Sequence, residues 1–398
     1  MSHYLEMKKQ YSDCILFYRL GDFYEMFFDD AKCVSKELEL TLTGKDCGLE
    51  ERAPMCGVPF HAADTYINRL VSKGYKVAIA EQVEDPKLAK GLVKREVIKV
   101  VTPGTNTNSL ALSEDKNNYL MCIYYATDYY ALAFVDITTG DFLTTQVQSE
   151  RELMDEINKF PVAEIVSNRA FMMAPVDMTY LKEKLGISIY TLGDTKFAYD
   201  TCTEIIKKHF NVIDLAGLGL NDFAGCIPAV GGVLQYLYDT QKSGLEFLNK
   251  LTTYSSGKFM VIDSATRRNL ELTETLRSKE KKGSLLWVLD STKTSMGRRL
   301  LKNWIEQPLK SPARIIERLD AVEALYRKSV VLADLTDLLD RVYDLERLMT
   351  KVMYKSANPR DLKSLSATAQ QLPLIKQELE KLSDSKLLAK YNSEISTL

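Results

Sequence analysis

The stretch Ile15-Leu-Phe-Tyr-Arg-Leu-Gly-Asp-Phe-Tyr-Glu-Met-Phe-Phe28 sets six aromatic rings beside Arg19, Asp22 and Glu25. Its apolar content suits a core strand, which would bury most of it. The alternation is imperfect, because Phe17 and Tyr18 are adjacent, Gly21 interrupts the run, and Phe23-Tyr-Glu25 puts two rings and a carboxylate on consecutive positions. In an extended segment neighbours face opposite sides, so Phe23 and Glu25 share a face and Tyr24 points away from it. Taken alone, the pair reads as a core aromatic beside a solvated charge. The other reading is chemical: a flat ring next to a hydrogen-bonding group is what stacking on a nucleobase and reading its edge require.

Blocks further along the chain bear on that choice. Asp29-Asp-Ala-Lys32, Leu40-Thr-Leu-Thr43, Pro54-Met-Cys-Gly-Val-Pro-Phe-His61 and Val101-Thr-Pro-Gly-Thr105 follow in that order. With Gly21-Asp-Phe-Tyr-Glu-Met-Phe27 they resemble the mismatch-recognition domain of the MutS family of bacterial DNA mismatch repair proteins. The resemblance implies that Phe23 enters the minor groove and stacks on a mispaired or unpaired base. Glu25 is then expected to accept a hydrogen bond from that base or share a proton with it. Lys45 and His61 are implied as backbone contacts, and Met55 as an apolar neighbour of the wedge. Phe60 stands where tyrosine is common in the family. Inserting a wedge costs about a few kcal/mol in unstacking, and base-aromatic stacking returns about 1–3 kcal/mol. The balance is close, so the weakness of the defect decides whether the complex forms. Glu25 is repelled by phosphates, a penalty relieved only where a donor meets it.

A chain of 398 residues has room for two to three domains. Its formal net charge of -2 argues against a wholly basic nucleic-acid binder, so local charge has to decide. Lys73, Lys76, Lys87, Lys90, Lys94, Arg95 and Lys99 outnumber Glu81, Glu84, Asp85 and Glu96 in one run, which reads either as a phosphate contact or as a solvated face. The seven cysteines are scattered and never at C-x-x-C spacing, which suits free thiols in a reducing cytosol, and three histidines add no metal constellation. No signal-peptide core or bilayer-length apolar run is found, so a cytoplasmic protein without membrane contact is expected.

Residues 1–104 read as a mixed α/β domain. Helices are expected at residues 4–10, 29–38 and 63–73, and strands at 15–18, 76–80 and 96–101. Residues 105–118 form a polar linker. Residues 119–243 begin with three strands in a meander and continue as α/β, an order that resembles the ribonuclease H-like connector domain of the family. Such a fold raises a metal-dependent nuclease as an alternative function. However, the first strand, residues 120–125, has no acidic residue, and nothing in the sequence joins Asp136, Asp141 and Glu164. Asp136-Ile-Thr-Thr-Gly140 reads as a turn.

Residues 244–398 read as all-α and incomplete, with helix expected over most of 260–272 and 285–305. A further helix from Pro312 carries Ile315, Ile316, Leu319, Val322, Val330, Leu332 and Leu335 as an apolar stripe, and a long helix is expected from residue 358 onward. Thr266-Arg-Arg-Asn-Leu-Glu271, Met296-Gly-Arg-Arg-Leu-Leu301 and Asp344-Leu-Glu-Arg-Leu348 resemble the core and lever segments of the family. The phosphate-loop pattern G-x-x-x-x-G-K-[ST] does not occur; the Gly-Lys pairs Gly44-Lys45 and Gly257-Lys258 are followed by Asp46 and Phe259, not by serine or threonine. No catalytic residue, metal ligand or cofactor is therefore assigned to this chain.

The resemblance places ATP and Mg2+ in an ATPase domain of the full-length family protein, which also forms the homodimer. It implies mismatched duplexes and small insertion or deletion loops as ligands, and contact with the repair partner MutL through the connector. The chain is then expected to be an N-terminal fragment, monomeric or weakly self-associating through an exposed apolar stripe. A protein-interaction scaffold without mismatch binding is the remaining alternative.

Overall fold

A computed structural model of the chain describes residues 1–48, 51–84, 93–108, 115–242, 244–255, 257 and 259–397. Asp85, Lys87 and Lys90 of the basic run, residues 109–114 of the linker, and Lys258 lie outside the described residues.

The first unit runs α1 (Ser2–Gln10), β1 (Ile15–Leu20), β2 (Phe23–Phe27), α2 (Phe28–Leu38), β3 (Thr43–Lys45), β4 (Ala53–Pro59), α3 (Ala63–Val71), β5 (Val77–Gln82) and β6 (Arg95–Val101). Its sheet has the order β3-β4-β2-β1-β5-β6, with β1 and β5 parallel and the other neighbours antiparallel. The aromatic stretch is thus two strands rather than one. It folds back at Gly21-Asp22, where Leu20 pairs with Phe23 and Gly21 has φ of +59°. A two-residue hairpin needs that positive φ, which glycine adopts without strain.

Both faces of this sheet are covered, but unequally. Ile15, Phe17, Tyr24 and Met26 pack under α2 and α3 with Val34, Leu38, Ile67 and Leu70. On the opposite face Leu16, Tyr18 and Phe27 pack under α1 with Tyr4 and Met7. That single nine-residue helix covers β2 at Phe27 and leaves the hairpin end of the same face open.

After β6 the chain makes a buried turn at Thr102-Pro-Gly-Thr105, closed by reciprocal side-chain and backbone bonds between Thr102 and Thr105. The turn is plugged into the second unit. Buried Glu164 accepts hydrogen bonds from the Thr102 hydroxyl, from the Gly104 N–H at 2.8 Å, and from the Tyr236 hydroxyl. Burial raises its carboxyl above the usual range, against the lowering effect of these donors.

The second unit contains β7 (Tyr119–Ala126), β8 (Tyr129–Asp136), β9 (Asp141–Val147), α4 (Glu150–Lys159), β10 (Val162–Ser167), β11 (Ser188–Thr191), α5 (Tyr199–Phe210), α6 (Ile227–Gln241) and β12 (Thr252–Thr253). The expected meander is present as β7, β8 and β9 within a sheet of order β11-β10-β7-β8-β9-β12. Helices α5 and α6 bury one face, and α4 with Phe171 and Leu181 buries the other. With both faces covered, β7 and β8 are almost continuously apolar.

The remainder is helical: α7 (Ser264–Asn269), α8 (Leu285–Leu289), α9 (Ser295–Glu306), α10 (Pro312–Arg327), α11 (Ser329–Leu339), α12 (Leu345–Met353), α13 (Pro359–Glu380) and α14 (Lys386–Glu394). The fold class is therefore the expected one: two α/β units followed by helices. The helices are shorter than their apolar spacing suggests. Between α8 and α9 the Asp290 side chain accepts from the Thr292 N–H and hydroxyl, and Thr294 caps α9 by accepting from the Gly297 N–H. Short polar side chains there satisfy the backbone outside a helix. The helices dock on the second unit through α12, where the Thr350 hydroxyl donates to the Thr138 carbonyl at 3.0 Å. Arg299 forks onto Asp344 at 2.7 and 2.9 Å.

Candidate nucleic-acid interface

The side chains expected to matter gather on the open end of the first sheet. Phe23 heads β2 and is 47% exposed, while Tyr24, Met26 and Phe27 in the same strand are buried. An exposed phenylalanine on an otherwise buried strand is not explained by folding. Register sets its surroundings: Phe23 lies opposite Leu20 and Pro59, and Glu25 lies opposite Tyr18 and Gly57. Gly57 places backbone rather than a side chain beside the Glu25 stem, since a Cβ there would sit 3.6 Å from Glu25 Cγ.

Lys45 reaches this face from the edge strand β3. Its Nζ is 2.6 Å from Glu25 Oε2 and 5.5 Å from the Phe27 ring centroid. The structure thus joins Lys45 to Glu25. Met55 lies farther off, opposite Phe27 and Thr43, and its sulfur is 3.8 Å from the Thr43 hydroxyl. Pro59, not Met55, is the cross-strand neighbour of Phe23. His61 is exposed on the 3-10 turn Phe60–Ala62, edge-on to Phe60 with ring centroids 5.9 Å apart.

A buttress that no spacing in the sequence announces stands behind the hairpin. The Arg19 guanidinium lies 3.9 Å over the Phe60 ring and 3.4 Å from Glu81. The Tyr24 hydroxyl donates to the same carboxylate, and burial followed by that contact drives the phenol well above its usual range. The Phe60 N–H donates to the Asp22 carbonyl at 2.9 Å, tying the tip of the hairpin to β4. Arg95 bonds the Arg19 carbonyl at 2.7 Å beneath the Tyr18 ring. Phe60, Glu81 and Arg95 lie far from the hairpin in sequence and are brought to it by the pairing of β4, β5 and β6 within the sheet.

The basic run does not form a free cationic track among the described residues. Lys73 pairs with Glu37, Lys76 with Asp13 and Lys94 with Glu96, while Lys99 is desolvated beside Tyr354.

Metal-dependent chemistry in the second unit would require Asp136, Asp141 and Glu164 to converge. Register brings Asp136 opposite Asp141, which the sequence did not reveal. Both accept from the Asn117 amide; Asp136 also takes the Asn118 and Thr138 N–H groups, and Asp141 the Tyr119 hydroxyl. Glu164 is occupied separately by the turn at Thr102. Among the described residues no group of three His, Cys, Asp or Glu side chains is placed to hold a metal ion, and no helix is long and apolar enough to cross a membrane. All seven cysteines are free thiols.

Chemically, the open face offers a ring free to stack and a carboxylate whose lysine partner is half exposed. Comparison with known proteins gives this arrangement a family. Residues 1–109 match MutS domain I, residues 118–252 MutS domain II, and residues 265–398 MutS domain III. The DNA mismatch repair protein MutS of Lachnoclostridium phytofermentans is 52% identical over 398 residues, covering 100% of this chain and 43% of that protein. Its counterpart from Ruminiclostridium cellulolyticum is 54% identical over 379 residues, 94% of this chain and 43% of that protein. The one from Acetivibrio thermocellus is 52% identical over 401 residues, 100% of this chain and 46% of that protein. The chain thus spans less than half the length of these relatives. Carrying MutS domains I, II and III in order, it belongs to the MutS family.

Proposed function

We propose that the chain recognises mispaired or unpaired bases in duplex DNA, with Phe23 as the stacking wedge and Glu25 as the acceptor at the displaced base. The observation that carries this reading is the exposure of Phe23 on a strand whose next residues are buried, on the same face as Glu25. Unstacking a base step costs about a few kcal/mol, and a stacked ring returns about 1–3 kcal/mol. A wedge therefore enters where pairing is already weak. The buttress of Arg19, Phe60, Tyr24 and Glu81 keeps the hairpin tip from yielding when the ring meets a base step. Lys45 and His61 are assigned as contacts to the duplex backbone, and Met55 as an apolar side chain on the face of the wedge. The same reading gives contact with MutL to the second unit. It assigns dimer formation and ATP hydrolysis with Mg2+ to parts of the family protein beyond domains I–III.

Fluorescence anisotropy with a short duplex carrying a G·T mispair or one extra T, against its matched control at low salt, tests the proposal. The chain is expected to prefer the defect, and Phe23→Ala to remove the preference. Equal binding of both duplexes by both proteins would overturn it.

A further inference from the structure

Glu25 and Lys45 stand on strands that are not neighbours in the sheet: β4 runs between them. Lys45 nevertheless crosses to the carboxylate, its ammonium passing the Phe27 ring. The Glu25 side chain is 17% exposed and that of Lys45 41%, so the carboxylate is the more enclosed partner and the amine faces outward. An ammonium is a compact charge whose direction is set by its nearest anion. While Glu25 holds it, that amine is poorly placed to neutralise phosphate.

We infer that Lys45 acts through Glu25: it occupies the carboxylate in the unbound protein and is released toward phosphate only when a displaced base takes its place. The inference rests on the reading of Phe23 and Glu25 given above and adds a specificity-determining residue to it. A paired, stacked base keeps its Watson-Crick donors engaged and has nothing to exchange for Lys45. A displaced base presents those donors, the carboxylate changes partner, and the freed ammonium gains a phosphate. Defect binding therefore gains twice where ordinary duplex gains nothing. Lys45 is a positioning residue in this scheme, and its effect on DNA depends on Glu25.

Two measurements test this on the whole chain. The first needs no DNA. Reductive methylation followed by mass spectrometry reads the reactivity of the Lys45 amine, which is expected to rise several-fold in Glu25→Gln. No change would overturn the pairing. The second is a cycle of Lys45→Met, Glu25→Gln and the double variant, read as the slope of log affinity against log salt on matched duplex. Glu25→Gln is expected to bind matched duplex several-fold more tightly, because it frees the lysine. Lys45→Met is expected to lower the slope by about 0.9 in the Glu25→Gln background, the change for one phosphate contact, and by much less in the unsubstituted chain. Lys45→Arg, which keeps the cation, is expected to restore the native slope and preference. Equal slope changes in both backgrounds would show an independent phosphate contact and overturn the inference while leaving the role of Phe23 intact. Absence of any defect preference in the unsubstituted chain would overturn the recognition reading and this inference together.

Discussion

The Lys76 ammonium on the first sheet lies 3.8 Å from the centroid of the Tyr190 ring on the second, and the Tyr190 hydroxyl donates to the Gly74 carbonyl at 2.7 Å. Tyr236 stands 5.6 Å away on the same amine, and Asp13 pairs with it at 3.1 Å. Such a cation between rings contributes about 0.5–2 kcal/mol when partly desolvated. The unit carrying Phe23 is thereby fastened to its neighbour at a point remote from the hairpin. Lys76→Met and Tyr190→Leu should each lower the melting temperature by a few degrees, and the double variant should lose less than their sum. Strict additivity in thermal unfolding would mean that ring and amine do not interact.

The turn into the second unit leaves no room for a side chain at Gly104. A Cβ there would sit 2.9 Å from the Cβ atoms of Glu164 and Leu120 and 3.0 Å from the Leu120 Cα. Backbone cannot yield as a flexible side chain can, so Gly104→Ala should cost about 1–3 kcal/mol. Urea unfolding monitored by circular dichroism checks this; a midpoint unchanged from the parent would show that the turn relaxes freely.

Lys99 donates to the Thr107 hydroxyl at 3.1 Å, faces the Tyr354 ring, and is pushed down to about 8 by burial. Unfolded, the amine holds its proton to about pH 10.4. Between these values the unfolded chain binds more protons, so this group makes stability rise with pH across that window. Below pH 8 both states are charged and the full cost of burying the cation remains. Lys99→Met should therefore be more stable than the parent at pH 7, by about 1–3 kcal/mol, with the advantage shrinking toward pH 10. Melting temperatures of both proteins across pH 7–10 read the difference, and a constant gap would contradict the assignment.

Phe23 and Phe27 are two of the rings on one face of β2, and substitution should separate them. Phe27→Ala removes a ring that is 2% exposed and should cost about 3–5 kcal/mol. Phe23→Ala removes a half-exposed ring and should leave unfolding within about 1 kcal/mol of the parent while abolishing the preference for a defect. A large loss of stability in Phe23→Ala would return that residue to a structural role.

Ile315, Ile316, Leu319, Val322 and Tyr326 leave an apolar stripe exposed along α10. Contiguous apolar surface of this kind promotes association. Sedimentation velocity should show concentration-dependent association of the chain, reduced by Ile316→Lys with Leu319→Lys. Identical sedimentation of parent and variant at high concentration would remove the stripe as its cause.

Much of this molecule was legible before folding was considered. The helical stretches of the first unit, the three-strand meander and the helical character after residue 259 follow from periodicity, because local burial dictates spacing. The shared face of Phe23 and Glu25 follows from strand alternation alone. The hairpin at Gly21-Asp22 and the strands β3 and β4 were not legible. Their short polar and glycine-containing runs acquire strand character only from pairing, as propensity in sheets reflects neighbours. The breaks in the last helices were hidden because polar caps at Asp290 and Thr294 compete locally with an apolar pattern that still reads as helix.

By itself, the sequence determined which residues carry ring and carboxylate, how they alternate, and where apolar runs demand burial, since these depend on order along the chain. Only the tertiary structure decided that α1 stops short of the hairpin and leaves Phe23 open, that Lys45 reaches Glu25 across β4, and that Arg19, Phe60, Tyr24 and Glu81 meet behind them. Those relationships depend on strand register and on the reach of side chains between strands, which no spacing within a single segment encodes.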